Sequence, residues 1–157
     1  MQNSSFQFLS GGEELLPMVE NLWWKLKDFH VEQFPIWSES LRDGQFGDRV
    51  QGLLEASHEG ALLVEIAHVD ETPIAFCLSV INKDGVGELA SLFVDEPHRN
   101  HGIALRLVES SLQWLKEHQA SPIVVDVMAG NSAALKLYER LGFAQRVNRL
   151  QLAEDKG

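Results

Sequence analysis

The sequence predicts a mixed α/β protein built on one sheet, with a strand–helix–strand crossover near the sheet's centre. Three observations carry this reading. The runs Ala61 to Val69 and Ile74 to Ile81 are rich in apolar residues and flank the turn signal Asp70-Glu71-Thr72-Pro73, so they read as a hairpin. Ala104, Val108, Leu112 and Leu115 recur at helical spacing between Ile103 and His118. Pro122 to Met128 (PIVVDVM) is a nearly continuous apolar run, the mark of a strand buried on both faces at a central position.

The other elements follow in chain order. Phe6 to Ser10 alternates weakly and reads as a first strand. Gly11 and Gly12 break it, and a helix starts near Glu13. Leu15, Val19, Leu22, Trp23 and Leu26 fall on one face of that helix, and Pro17 suits its first turn. Residues 31–60 are mixed, with a short second helix expected near Arg49 to Ser57. Asn82-Lys83-Asp84-Gly85 is a turn that leads into a strand over Gly87 to Val94. Asn131 to Leu141 reads as a helix capped by Asn131 and stopped by Gly142. Phe143 to Leu152 reads as a last strand or hairpin.

A chain of 157 residues fits one domain and buries enough surface to fold without disulfides or metal. Its one cysteine, Cys77, lies in the apolar run TPIAFCLSVI and reads as core packing, with a reactive thiol as the alternative. No apolar run approaches the ~20 residues of a membrane helix, and the first ten residues do not read as a signal peptide. A cytoplasmic location is therefore the expectation. The net charge of -10 argues against nucleic acid as a partner. Residues 1–86 carry a net of -9 and residues 87–157 a net of -1, an asymmetry that suggests different partners for the two halves. The plain alternative is a well-solvated acidic surface.

Two segments carry chemistry. In Asp95-Glu96-Pro97-His98-Arg99-Asn100-His101-Gly102-Ile103-Ala104, the pattern Arg99-x-x-Gly102-x-Ala104 opens directly into a helix. Unpaired N–H groups and the helix dipole make such a start attractive to a diphosphate. Gly102 lets oxygens approach the backbone, Ala104 keeps the first turn narrow, and Arg99 adds a charge-assisted bond. Neither Gly-x-x-x-x-Gly-Lys nor Gly-x-Gly-x-x-Gly is present. His98 and His101 lack further partners at metal-ligand spacing, so no metal site is expected. The second segment runs from Gly130 to Phe143. There Ala134, Leu137, Tyr138 and Leu141 share one helix face, and Tyr138 is the chain's single tyrosine. A core aromatic whose hydroxyl finds a partner is the plain reading of Tyr138.

Taken together, GELASLFVDEPHRNHGIALRLVESSLQWL and IVVDVMAGNSAALKLYERLGF resemble the GNAT superfamily of acetyltransferases. That superfamily has Arg/Gln-x-x-Gly-x-Gly/Ala and then Asn-x-x-Ala-x-x-x-Tyr-x-x-x-Gly-Phe. Both motifs occur here in order, about thirty residues apart, within residues 87–145. Ala104 stands where glycine is commoner. The resemblance implies a central mixed, mostly antiparallel sheet of six to seven strands, flanked by about four helices and splayed at the cofactor site. It implies one domain over residues 1–157, with residues 1–86 mainly forming the acceptor site and residues 87–145 the acetyl-CoA-binding core.

The resemblance also implies roles. Leu92, Phe93 and Val94 would lend backbone groups to the pantetheine arm. Arg99, Asn100, His101, Gly102, Ile103 and Ala104 would hold the pyrophosphate, Asn131 would contact the CoA arm, and Tyr138 would sit near the thioester sulfur. Glu88 falls where histone acetyltransferases of the superfamily keep a glutamate base, although other branches place the base elsewhere. The implied activity is transfer from acetyl-CoA to a primary amine, by direct attack and without a metal, and the acidic first half points to a cationic small molecule as the acceptor. No nucleic acid or membrane partner is expected, and a homodimer stays open. A non-catalytic CoA-binding regulatory domain and a protein amine acetyltransferase are the alternatives.

Overall fold

Alternate side chains of the central hairpin point to opposite sides of the sheet, and both sides are apolar, so helices must cover both. The computed structural model describes residues 5–153 and shows that arrangement. Residues 1–4 and 154–157, the ends of the expected domain, lie outside them. The strands are β1 (Gln7–Gly11), β2 (Ala61–Val69), β3 (Thr72–Ile81), β4 (Gly87–Val94) and β5 (Ile123–Val125), side by side in that order. Neighbours from β1 to β4 are antiparallel, and β4 and β5 are parallel. The helices are α1 (Glu20–Gln33), α2 (Ser38–Arg42), α3 (Phe46–Ala56), α4 (Ile103–Glu117) and α5 (Ser132–Arg140).

One face of the sheet presents Val64, Ile66, Phe76, Leu78, Val80 and Phe93. It packs against Leu16, Val19, Leu22, Leu26, Phe46 and Leu53 from the first half of the chain. The opposite face presents Ala67, Ala75, Cys77 and Leu89, among others, to Ile103, Leu107, Val108 and Leu115 of α4 and to Tyr138 of α5. Leu107, Val108, Ser111 and Leu115 are almost wholly buried, so the helical periodicity seen in the sequence is the stripe that seats α4. The buried Gly87 lets α4 close over the start of β4. A Cβ there would come within 2.8 Å of the Ala120 side chain and 2.9 Å of Leu115.

One polar row crosses the α4 face. Ser10, Glu65, Cys77 and Leu92 stand in register across β1 to β4. Glu65 is 3% exposed and Ser111, above it on α4, is fully buried. The Ser111 hydroxyl donates to Glu65 Oε1 at 2.7 Å and lies 3.4 Å from Cys77 Sγ. Ser10 donates to the other carboxyl oxygen at a long 3.5 Å. A buried polar group with no partner is costly, so Ser111 is what makes Glu65 tolerable under α4.

Several sequence expectations need correction. The described residues form five strands, not six to seven, and five α-helices, not about four. The missing element is the expected last strand over Phe143 to Leu152. Residues 143–153 form no helix or strand, and Val147, Leu150 and Leu152 are 77%, 93% and 95% exposed. Strand formation depends on a neighbour to pair with, and this segment mixes its apolar residues with Gln145, Arg146, Asn148 and Arg149 instead of alternating cleanly. The run from Pro122 to Met128 is consequently a sheet edge rather than a centre, with three paired residues and with Val124 40% exposed. The additional helix is α2, which follows a short 3-10 turn begun by Pro35. Pro17 sits inside a separate 3-10 helix, Glu13–Val19, ahead of α1. The hairpin, α4 and the Asn131 cap stand as expected: the Asn131 side chain accepts from Ala134 N at 3.2 Å.

Replacing Ser111 by alanine should destabilise the protein by about 1–3 kcal/mol, because it strips Glu65 of its short hydrogen bond. Urea unfolding monitored by circular dichroism checks this. The adjacent exposed Ser110, changed to alanine, should stay within about 0.5 kcal/mol of the parent.

Candidate active site

Parallel pairing between β4 and β5 covers only Gly87–Ile123, Glu88–Val124 and Leu89–Val125. Beyond Leu89, β4 runs on to Val94 beside β3 alone. Between Leu89 and Ser91 the register of β4 against β3 jumps, so Ala90 is an extra residue with no partner in either neighbouring strand. Such a bulge bends the strand and increases its twist. Residues 90–94 therefore have no strand neighbour on the side away from β3, while the Phe93 side chain enters one core and those of Leu92 and Val94 pack beside the other. An extended chain with amide groups can pair with such an edge like an added strand.

The loop after β4 is braced from several sides. The Asp95 carboxylate accepts from Glu96 N at 3.0 Å and pairs with Lys25 of α1 at 2.8 Å. Arg99 donates from Nε to the Val94 carbonyl at 2.9 Å, and its guanidinium carbon sits 5.4 and 5.5 Å from the ring centres of Phe29 and Phe93. The Arg99 side chain thus stiffens the loop. Asn100 and Gly102 both take positive φ, at 66° and 76°, and bracket the exposed His101. Nothing lies within 4 Å of where a Gly102 Cβ would be. What demands glycine there is the left-handed backbone, and the absent side chain leaves the helix start open. The first intrahelical bond of α4 is Arg106 N to Gly102 O at 3.1 Å, so the amides of Ile103, Ala104 and Leu105 precede it at the helix start.

Glu88 and Tyr138 lie on opposite faces of the sheet. Glu88 stands opposite Val80, which lines the core shared with α1 and α3, and is half-buried. Burial raises its pKa above the ordinary carboxylate value, Asp126 just past the end of β5 raises it further, and Arg49 on α3 opposes both. Tyr138 is 6% exposed, packs edge-on against Phe143 at 5.7 Å, and belongs to the core under α4. Burial, reinforced by Cys77, raises its hydroxyl pKa well above the ordinary value. Asn131 opens α5 near the same end, with its Oδ1 committed to the cap.

Cys77 is fully buried and burial pushes its thiol up to about 12, which makes it a poor nucleophile. Among the described residues no group of three or more His, Cys, Asp or Glu side chains is placed to hold a metal. Two further residues belong to the site. Asp126 is the one charge in the apolar run after Pro122, a signal available in the sequence. Arg49 interrupts the apolar stripe of Phe46 and Leu53, but only the fold brings α3 against β4 and gives that charge its partners.

A sheet that parts beside an open helix start, with a carboxyl group on one face and a phenol on the other, is the kind of site that suits group transfer from a long phosphate-bearing carrier. Residues 19–143 match the family model described as the acetyltransferase (GNAT) family, and the chain belongs to that family. It is 39% identical over 59 residues to N-alpha-acetyltransferase 30 of Schizosaccharomyces pombe, a match covering 38% of this chain and 39% of that protein. It is 33% identical over 86 residues to mycothiol acetyltransferase of Saccharopolyspora erythraea, covering 55% of this chain and 28% of that protein. The chain thus spans well under half the length of these curated relatives. Its fold is similar to that of an aminoglycoside N-acetyltransferase solved in complex with CoA. The TM-score there is 0.63 at 19% identity, over 96% of this chain and 100% of that one.

If the α4 start holds the pyrophosphate, Gly102→Val should weaken acetyl-CoA binding at least about tenfold, or ~1.4 kcal/mol. Calorimetry on a variant with an intact circular dichroism spectrum checks this. Unchanged affinity would remove the assignment.

Proposed function

We propose that the protein transfers an acetyl group from acetyl-CoA to a primary amine of a cationic small molecule, by direct attack within a ternary complex. The placement of Glu88 on one face of the sheet and of Tyr138 in the core on the other face is the observation that carries this reading. The edge at residues 90–94 and the open start of α4 fit an amide-bearing arm ending in phosphates. Of Leu92, Phe93 and Val94, Leu92 and the Val94 amide are the backbone groups proposed to meet the arm, since the Val94 carbonyl accepts from Arg99 and Phe93 pairs with Phe76. Residues Arg99 to Ala104 form the phosphate end of the site, and Asn131 flanks it. Bound there, acetyl-CoA supplies an activated acyl group on a good leaving thiolate.

The chain's own groups manage the protons. An alkylamine with a pKa of about 10.4 is neutral in roughly one molecule in 2,500 at pH 7, a deficit of ~4.6 kcal/mol. Glu88 accepts the proton lost by the amine, directly or through water. Its half-buried position makes it a stronger base than an ordinary glutamate, and that favours the transfer. On the other face, burial keeps Tyr138 neutral, so its hydroxyl remains a donor toward the departing sulfur. A thiol has a pKa of about 8.5 in water, and the desolvation that raises Tyr138 raises the sulfur's basicity in the same way. Most of the acceleration comes from holding amine and thioester together. The high pKa of Cys77 supports direct transfer over a route through its thiol.

Two observations support a cationic acceptor. The first half of the chain carries a net of -9, and the Asp126 charge acts on Glu88 beside the notch where β4 parts from β5. Like-signed charges lining a cleft concentrate a ligand of opposite sign.

Acetyl-CoA consumption across a panel of polyamine, aminosugar, amino-acid and peptide amines tests the activity. With the best acceptor, Tyr138→Phe should lower kcat by ~10²-fold or more while KM for acetyl-CoA barely moves. A near-normal kcat would leave Tyr138 as packing alone. Attraction between exposed charges is screened over about 8 Å at physiological salt, so kcat/KM for the acceptor should fall as salt rises while kcat holds. An anionic best acceptor, or salt-independent kcat/KM, would contradict the charge argument.

A further inference from the structure

Arg49 occupies a position where the helix pattern calls for an apolar side chain. Phe46, Arg49 and Leu53 follow the i, i+3, i+7 spacing of one helix face, and both flanking residues are buried against the sheet. The guanidinium has two defined partners. Its Nη2 donates to the Ala90 carbonyl at 2.7 Å and to the Ser91 hydroxyl at 2.9 Å. Ala90 is the bulged residue, unpaired in β3 and β5 alike. A partly buried carbonyl left out of a ladder needs a donor, and Arg49 supplies it from another half of the chain. The bond falls at the corner where β4 parts from β5.

We propose that Arg49 is a positioning residue for acetyl transfer: by tying α3 to the unpaired carbonyl of the bulge, it sets the shape of the notch beside Glu88. The proposal rests on the reading of Glu88 and the notch given above. A misplacement near 1 Å at a reacting centre costs up to ~10²-fold in rate, so a loosened corner would be felt in kcat. The same cation acts on Glu88. The charges acting on that carboxyl group are Asp126, just past the end of β5, and Arg49 from α3, and its register neighbours Val80 and Val124 are apolar. The two nearest lysines of α1 are engaged elsewhere, Lys25 with Asp95 and Lys27 with the carbonyls of Arg42 and Gly44. Arg49 opposes the rise in the Glu88 pKa, so removing it should raise that pKa further. The base would then be protonated, and inactive, up to a higher pH.

The test compares the full chain with Arg49→Met and Arg49→Lys, using acetyl-CoA and the best amine of the panel. Arg49→Met should lower kcat about tenfold or more and move the acid limb of kcat/KM to higher pH. Arg49→Lys keeps the charge but replaces the guanidinium fork with a single ammonium nitrogen. It should hold the acid limb near that of the parent while kcat falls less. A folded Arg49→Met with parental kcat and pH profile overturns the proposal. If Arg49→Met does not fold, Arg49→Lys decides: reduced kcat with an unmoved acid limb supports it, and parental kcat overturns it. Glu88→Gln separates this from the assignment of the base, because it should abolish the acid limb. If Glu88→Gln keeps that limb, the base assignment falls and the clamp is judged by amide exchange over residues 90–94. Faster exchange in Arg49→Met then sustains it, and unchanged exchange overturns it.

Discussion

Ala90 has no partner in either neighbouring strand, and the geometry of the site depends on that. Three paired residues hold β5 against β4, and the bond from Gly87 N to the Pro122 carbonyl at 2.9 Å fixes where the pairing begins. Past the bulge the two chains part. A regular ladder would extend along β4 and close the edge at residues 90–94. The bulge leaves one carbonyl to be satisfied from outside the sheet, and α3 does so through Arg49. The open edge and the link between the two halves of the chain thus have one origin.

The sheet also keeps apart the two groups proposed to handle protons. Glu88 shares its face with the helices of the acidic first half, and Tyr138 shares the other with α4 and α5. Their environments push in one direction, since burial disfavours the charged form of each. A carboxyl group shifted upward becomes a better base, and a phenol shifted upward stays protonated. One physical cause therefore suits two opposite tasks. Behind Tyr138, the row of Glu65, Cys77 and Ser111 is closed off by α4 and serves stability rather than exchange with solvent.

Much of this was legible in the sequence because it is local. The hairpin turn, the stripe on α4, the Asn131 cap and the glycines at 102 and 142 each follow from a few adjacent residues. What escaped was set by partners distant in sequence. PIVVDVM looks like a central strand by composition, but it stands at the edge because residues 143–153 do not pair with it. Arg49 interrupts the apolar stripe of its helix, but its partners appear only when β4 is placed beneath it. Arg99 was expected in a phosphate loop, and its bond to Val94 and its place between Phe29 and Phe93 needed the fold.

The central claim is that the carrier lies along the unpaired edge of β4 with its phosphates at the start of α4. Hydrogen exchange measured by mass spectrometry, with and without saturating CoA, tests it most directly. Amides in residues 90–94 and 102–105 should become protected on binding, while the exposed segment 144–153 should not change. Protection confined to other parts of the chain, or CoA binding with no protection in those two segments, would contradict it.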